Sequence, residues 1–187
     1  MSQADFGPYM ECSLSVAVDL ANTAHEGHEH LPDVEALDAF VSDHELSDAP
    51  KARRSDLDAI RTLRSSLRSV FEATDEAAAG RVLNELLRTS GAHPVLTNHG
   101  DGPWHLHYTP AGAPLSARLT AETAMALSVV IAQGGFERLR TCDSDTCEDV
   151  FVDASKNRSR RYCSPEVCGN RASVRAYRER QRTANAT

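Results

Sequence analysis

Four of the five cysteines in this 187-residue chain fall in its last quarter as two matched pairs, Cys142 with Cys147 and Cys163 with Cys168. Four residues separate the members of each pair. A gap this short lets two thiolates of one tight turn aim at a common centre. The fifteen residues between the pairs suffice for a crossover that brings the second turn beside the first. The expected chemistry is one tetrahedral zinc ion per chain held by four sulfurs. Four thiolates fill every position on the ion, so the metal would hold structure and leave no place for water or substrate. Two disulfides, or reduced cysteines that merely cluster, are the alternative. Met1 to Met10 lack the basic start and apolar run of a secretory signal, so the expected compartment is a reducing cytoplasm, where disulfides are rare. Cys12 stands alone in an apolar stretch and reads as a packed thiol.

The net charge of −7 argues against a nucleic-acid binder until it is divided along the chain. Residues 1–140 carry 11 basic and 20 acidic side chains, whereas residues 141–187 carry 9 and 7. Lys156, Arg158, Arg160, Arg161, Arg171, Arg175, Arg178, Arg180 and Arg182 all lie in one stretch with only Glu166 and Glu179 among them. Arg171, Arg175, Arg178 and Arg182 recur at steps of four, three and four, one face of a helix, and Arg180 lies off that stripe. Such a row can follow phosphates or enter a major groove, and a solvated surface helix would interleave more glutamates. Four or five phosphate contacts would give a log–log salt slope of about −4 to −5 on duplex DNA. The four-thiolate centre carries net negative charge and also attracts cations, so Arg160, Arg161 or Arg171 have an alternative role as its supports. Asn170 is either a base reader or a helix cap.

Two further groups have chemical potential. His25, His28 and His30 with Glu26 and Glu29 are dense enough for a metal, but alternating His and Glu in a loop more often form a solvated link. Asp19 and Asn22 lie three apart on an apolar helix and must find partners or line a cavity. They read either as a buried hydrogen-bond network or as a ligand pocket shared with His105 and His107, which occupy one face of a strand while Trp104 and Tyr108 take the other. No nucleophile, acid and base stand at convincing spacing, and no phosphate-cradling glycine loop is present, so the chain is expected not to be an enzyme.

The elements that must position these groups are mostly helices. Residues 10–24 have a buried helical pattern, and Pro32 and Asp33 open a short helix through Val41. Ser55 is the expected cap of an amphipathic helix carrying Leu57, Ile60, Leu63, Leu67 and Val70. Thr74, Asp75 and Glu76 start another that runs to Gly91. Val95 to Thr97 and Trp104 to Thr109 read as a hairpin around Asn98 to Gly102. Thr120 with Glu122 begins the last body helix, which ends near Gln133, and Gly134-Gly135 reads as a hinge. Ala172 to Arg182 reads as a basic helix. No stretch approaches the apolar length of a membrane span.

The run Cys168-Gly169-Asn170-Arg171 resembles the CGNR zinc-finger family of bacterial proteins, described as stress-induced transcription regulators. Cys142, Cys147, Phe151-Val152-Asp153, Ser155, Asn157, Arg160-Arg161, Cys163-Ser164 and Tyr177-Arg178 match that pattern too. Tyr162 stands where tryptophan is expected, and Ser173 where lysine is common. Val18-Asp19-Leu20-Ala21-Asn22-Thr23 resembles the first helix of the family's partner domain, ABATE. The resemblance implies a DNA-binding tail and a regulatory body.

The resulting expectation is a mainly α chain with a small β-hairpin (α+β). Residues 1–135 form a helical ABATE-like domain that dimerises or senses a ligand, and residues 136–187 form a zinc-stapled finger ending in a helix. The expected partners are double-stranded DNA, a second copy in a homodimer and a small-molecule effector, with no membrane. The expected setting is the bacterial cytoplasm, on the nucleoid when DNA-bound. A protein-interaction adaptor that uses the finger without binding DNA is the alternative. Replacing Cys163 by Ser is expected to melt the tail and leave the body folded.

Overall fold

A computed structural model of the chain describes residues 8–25, 27–46, 49–98 and 104–185. Glu26, the His25 side chain and turn residues 99–103, which figured in the sequence reading, lie outside them. Among the described residues the order is α1 (Pro8–Ala21), the short antiparallel pair β1 (Ala24–His25) and β2 (His28–Glu29), α2 (Val34–Asp43), α3 (Arg54–Phe71) and α4 (Glu76–Ser90). Then follow the hairpin β3 (Val95–Thr97) and β4 (His105–His107), and α5 (Leu115–Ala132). The pair β5 (Leu139–Thr141) and β6 (Val150–Val152), a π-turn at Pro165–Gly169 and α6 (Asn170–Asn185) complete the chain. The chain is mainly α with small antiparallel pairs.

Capping chemistry fixes the starts of α2, α3 and α4. Asp33 and Asp75 accept from Ala36 N and Ala78 N at 2.8 and 2.7 Å, so the expected Thr74 cap is moved one residue on. The expected Ser55 cap is also corrected: α3 starts after Arg53, whose N–H donates to Asp56 Oδ2 at 3.0 Å. Asp56 is buried and its Oδ1 accepts from the backbone N–H and hydroxyl of Ser116. That tertiary tie draws the start of α5 back to Leu115, five residues before the expected Thr120. Gly91 closes α4 in the left-handed region at φ 66°, as expected.

The core joins Leu14, Ala17 and Leu20 of α1, Leu57, Ile60, Leu63 and Leu67 of α3, Leu83 of α4, and Leu119, Leu127 and Val130 of α5. Helix α5 packs on α4, α1 and α3. By length and composition it is apolar enough to cross a membrane, which corrects the reading that no stretch is. Its apolar character is accounted for by burial inside the fold, together with an Arg118–Glu122 ion pair at 2.9 Å.

The glycines after α5, expected as a hinge, make a tight turn. Gly135 N–H donates to Val130 O at 2.9 Å, and a Cβ there would sit 2.6 Å from that same oxygen. The chain turns tightly and delivers β5 straight back to the body. Leu139 of β5 and Val150 of β6 are part of the helical core, and α1 and α3 both pack on β6. Cys12, expected to be buried, is exposed at the start of α1.

Candidate metal centre and nucleic-acid interface

The Sγ atoms of Cys142, Cys147, Cys163 and Cys168 lie within 4.8 Å of one another. Cys163 Sγ is 3.6 Å from both Cys147 Sγ and Cys168 Sγ. Zinc–sulfur bonds of about 2.3 Å at tetrahedral angles require sulfurs about 3.8 Å apart, so the four residues fit one structural zinc ion. Cys142 and Cys168 are buried, and Cys147 and Cys163 half-buried.

Two turns aim the sulfurs. In the first, Cys142 N–H donates to Asp149 O at 2.8 Å and Cys147 N–H to Ser144 O at 3.1 Å. The second opens at Ser164, whose hydroxyl accepts from Val167 N at 3.1 Å and is followed by Pro165, so a helical run starts there and carries Cys168 on its π-turn. Burial drives the Cys147 thiol up to about 12 and raises that of Cys163 as well. Burial opposes ionisation of Cys142 too, but hydrogen bonds from the backbone of Cys163 and Ser144 outweigh it and lower its value. A metal that replaces these protons relieves the crowding, so loading releases protons.

The loop between the turns is held by residues the sequence reading did not single out as site residues. Asp153 is fully buried and accepts from Ser155 N at 2.8 Å and Arg160 N at 2.9 Å. Burial pushes its carboxyl up, and these donors with the Arg140 cation bring it below the ordinary value. Arg138 donates to Asp153 O and Ser155 O, and Arg140 to Arg158 O and Arg160 O. The legible signal was Asp153 two residues before Ser155, an Asx-turn spacing.

The basic residues divide into two groups. Arg160 donates through Nε to Tyr162 O at 2.9 Å and through its other end to Cys163 O, and its guanidinium lies 5.0 Å from the Phe151 ring centre. It braces the second metal turn. Arg161 pairs with Asp143 at 2.8 Å and Arg158 with Glu137 at 3.3 Å. Arg175 pairs with Asp145 and, at 3.1 Å, with Glu179. Asn170 donates to Glu166 O at 2.7 Å, tying the π-turn to α6. Lys156 is exposed on the loop. Arg171, Arg178, Arg180 and Arg182 are exposed and, among the described residues, have no acidic group within ion-pair distance. Arg171, Arg178 and Arg182 border one groove with Val167 and Val174, which Glu166, Arg175 and Glu179 also line.

The four residues expected to share a ligand pocket are not brought together. Asn22 Nδ2 donates to Val150 O at 2.9 Å, and Asn22 Oδ1 accepts from Val150 N at 2.9 Å, so this side chain pairs with the finger's β6 as a strand would. Asp19 accepts from Ser15 Oγ at 3.1 Å and lies 3.0 Å from His44 Nε2. The hydrogen bond to Asp19 raises the His44 pKa above its ordinary value. Asp19 and Asn22 border a cleft of about 600 Å³ with Phe151, Arg160 and Ser164, and none of the hairpin's described residues lines it. His107 lines a separate cavity of about 190 Å³. Of the His/Glu cluster, Glu29 is committed elsewhere: Arg64 holds it at 2.6 and 2.5 Å and lowers its carboxyl to about 2. His28 and His30 are exposed, with ring centres 6.5 Å apart.

Residues 14–134, more than half of the chain, match the family model ABATE, whose description reads "Putative stress-induced transcription regulator". The chain belongs to the ABATE family. Residues 138–181 match the CGNR zinc finger, which spans both cysteine pairs and most of α6. No curated protein matches the chain. For this ABATE–CGNR chain, the Val18 to Thr23 segment has a concrete structural task, because Asn22 ties α1 to β6 beside the core packing of Leu139 and Val150.

Proposed function

We propose that this protein regulates transcription by binding double-stranded DNA through its zinc finger and α6, and that it performs no catalysis. The observation that carries the reading is the exposed face of α6, where Arg171, Arg178 and Arg182 lie in a row without acidic partners among the described residues. Four cysteine ligands anchor the start of that row, so a single zinc ion aims it. Arg160 belongs to the metal turn, and Arg158, Arg161 and Arg175 are neutralised by neighbours in the free protein. The expected number of phosphate contacts is therefore three or four, and the salt slope about −3 to −4 instead of the −4 to −5 suggested by counting residues. The acidic body keeps itself off the duplex and leaves contact to α6. We further infer that two copies associate so that paired fingers read two half-sites, and that the protein works in the bacterial cytoplasm. A small-molecule effector would act from the cleft between α1 and β6, where it touches body and finger together.

A protein-interaction adaptor is the second reading, because Val174 and Tyr177 on α6 are 49% and 57% exposed. Fluorescence anisotropy of the zinc-loaded chain with duplex genomic fragments at two salt concentrations separates the two. Salt-sensitive binding lost on replacing Arg171, Arg178 and Arg182 by Ala supports the regulator. Absence of binding at low salt favours the adaptor.

A further inference from the structure

Strand β4 presents two imidazoles to one side, and their geometry has a use that neither zinc nor DNA accounts for. His105 and His107 stand two apart in the strand, so the pleat places both on the same face. Their Nε2 atoms are 3.0 Å apart, with ring centres 5.0 Å from each other. Both side chains are half-buried, facing opposite to exposed Leu106. Metal–imidazole bonds of about 2.0–2.1 Å place two nitrogens on one ion about 2.9 Å apart at a right angle and about 3.3 Å apart in a tetrahedron. The observed spacing lies within that interval, close to the right angle.

We propose that His105 and His107 chelate a divalent transition-metal ion through Nε2, forming a second metal site on the β3–β4 hairpin. Two neutral nitrogens at a near-right angle suit nickel(II) or copper(II) geometry before zinc, and do not suit the all-oxygen preference of magnesium or calcium. The pair is held ready. Thr97 and Val95 lie opposite His105 and His107 in the register, and His93 N–H extends the pairing by donating to Tyr108 O at 2.8 Å. Tyr108 and Thr109, which follow at once, are buried and anchor the strand end. Two imidazoles leave positions on the ion open to water or a ligand, unlike the closed cysteine site. The inference does not depend on DNA binding.

The test is calorimetric titration of zinc-loaded, full-length protein carrying no affinity tag with nickel chloride. One nickel per chain beyond the zinc is expected, weakened at least tenfold by His105→Ala or His107→Ala and unchanged by His28→Ala with His30→Ala. Because an alanine could disturb the hairpin, the wild-type chain provides a second readout: nickel should protect His105 and His107 from acylation by diethylpyrocarbonate, measured by mass spectrometry. Absence of nickel binding beyond the zinc overturns the proposal. So does binding that survives His107→Ala, binding lost with the His28 and His30 pair instead, or acylation of both hairpin histidines at the same rate with and without nickel.

Discussion

Asn22 does at the scale of one residue what a strand normally does, offering an acceptor and a donor to both backbone groups of Val150. Val150 is fully buried, so removing the amide leaves its N–H and C=O without these partners. Asn22→Ala should cost about 2–4 kcal/mol in urea unfolding, and Asn22→Asp should not restore it because a carboxylate cannot donate. The His44–Asp19 contact has a pH signature. Since the folded value of His44 is raised, its contribution is complete below the unfolded value of about 6.5 and disappears as pH rises through the folded one. Unfolding midpoints at pH 6 and pH 9 should therefore fall further for the native chain than for His44→Gln. Asn22 was legible as a polar residue on an apolar helix that needed a partner. That its partner lies 128 residues away was not, because pairing with a backbone leaves no mark in the partner's side chain.

At the scale of elements, the finger's two strands are shared property. Leu139 and Val150 belong to the core that α1, α3 and α5 build, so the metal turns are continuous with the body through β5 and β6. Stripping zinc with a chelator, or replacing Cys163 by Ser, should lower the thermal midpoint of the helical body as well as melt the finger. The expectation of an independent tail rested on reading Gly134-Gly135 as a hinge. Circular dichroism and hydrogen exchange of α1 and α3 amides before and after chelation check this: protection that stays unchanged in those helices would mean the two parts fold separately. The strands themselves were missed in sequence because β5 and β6 are interleaved with the ligand turns and lack the proline- and glycine-rich loop that marked the equally short β3 and β4. Helices α3 and α4 were legible almost to their ends, since long amphipathic stripes and acidic caps act locally.

At the scale of the whole molecule, charge is partitioned: acidic residues cover the body and an arginine row runs along the terminal helix. Replacing Arg171, Arg178 and Arg182 together by Ala should weaken DNA binding across sequences and flatten the log–log salt slope by about 3. Replacing Arg175 alone should change the slope by less than one, because Asp145 and Glu179 already balance it. An equal effect of Arg175→Ala and Arg178→Ala in anisotropy titrations would show that those acidic pairs open on binding.

The zinc ligands, the helical character and the basic stripe could be read before any fold was known, because each depends on spacing along a short stretch of chain. Two cysteine pairs in tight turns and arginines at helical intervals are local facts. Which arginines pair with the protein's own acidic groups and carbonyls depends on the fold, since Asp143, Asp145, Glu137 and the carbonyl of Cys163 reach them across folded turns. The same holds for the docking of the finger on the body and for the separation of Asp19 and Asn22 from the hairpin histidines. Packing free energy is gained between distant segments, and composition does not encode which of them meet.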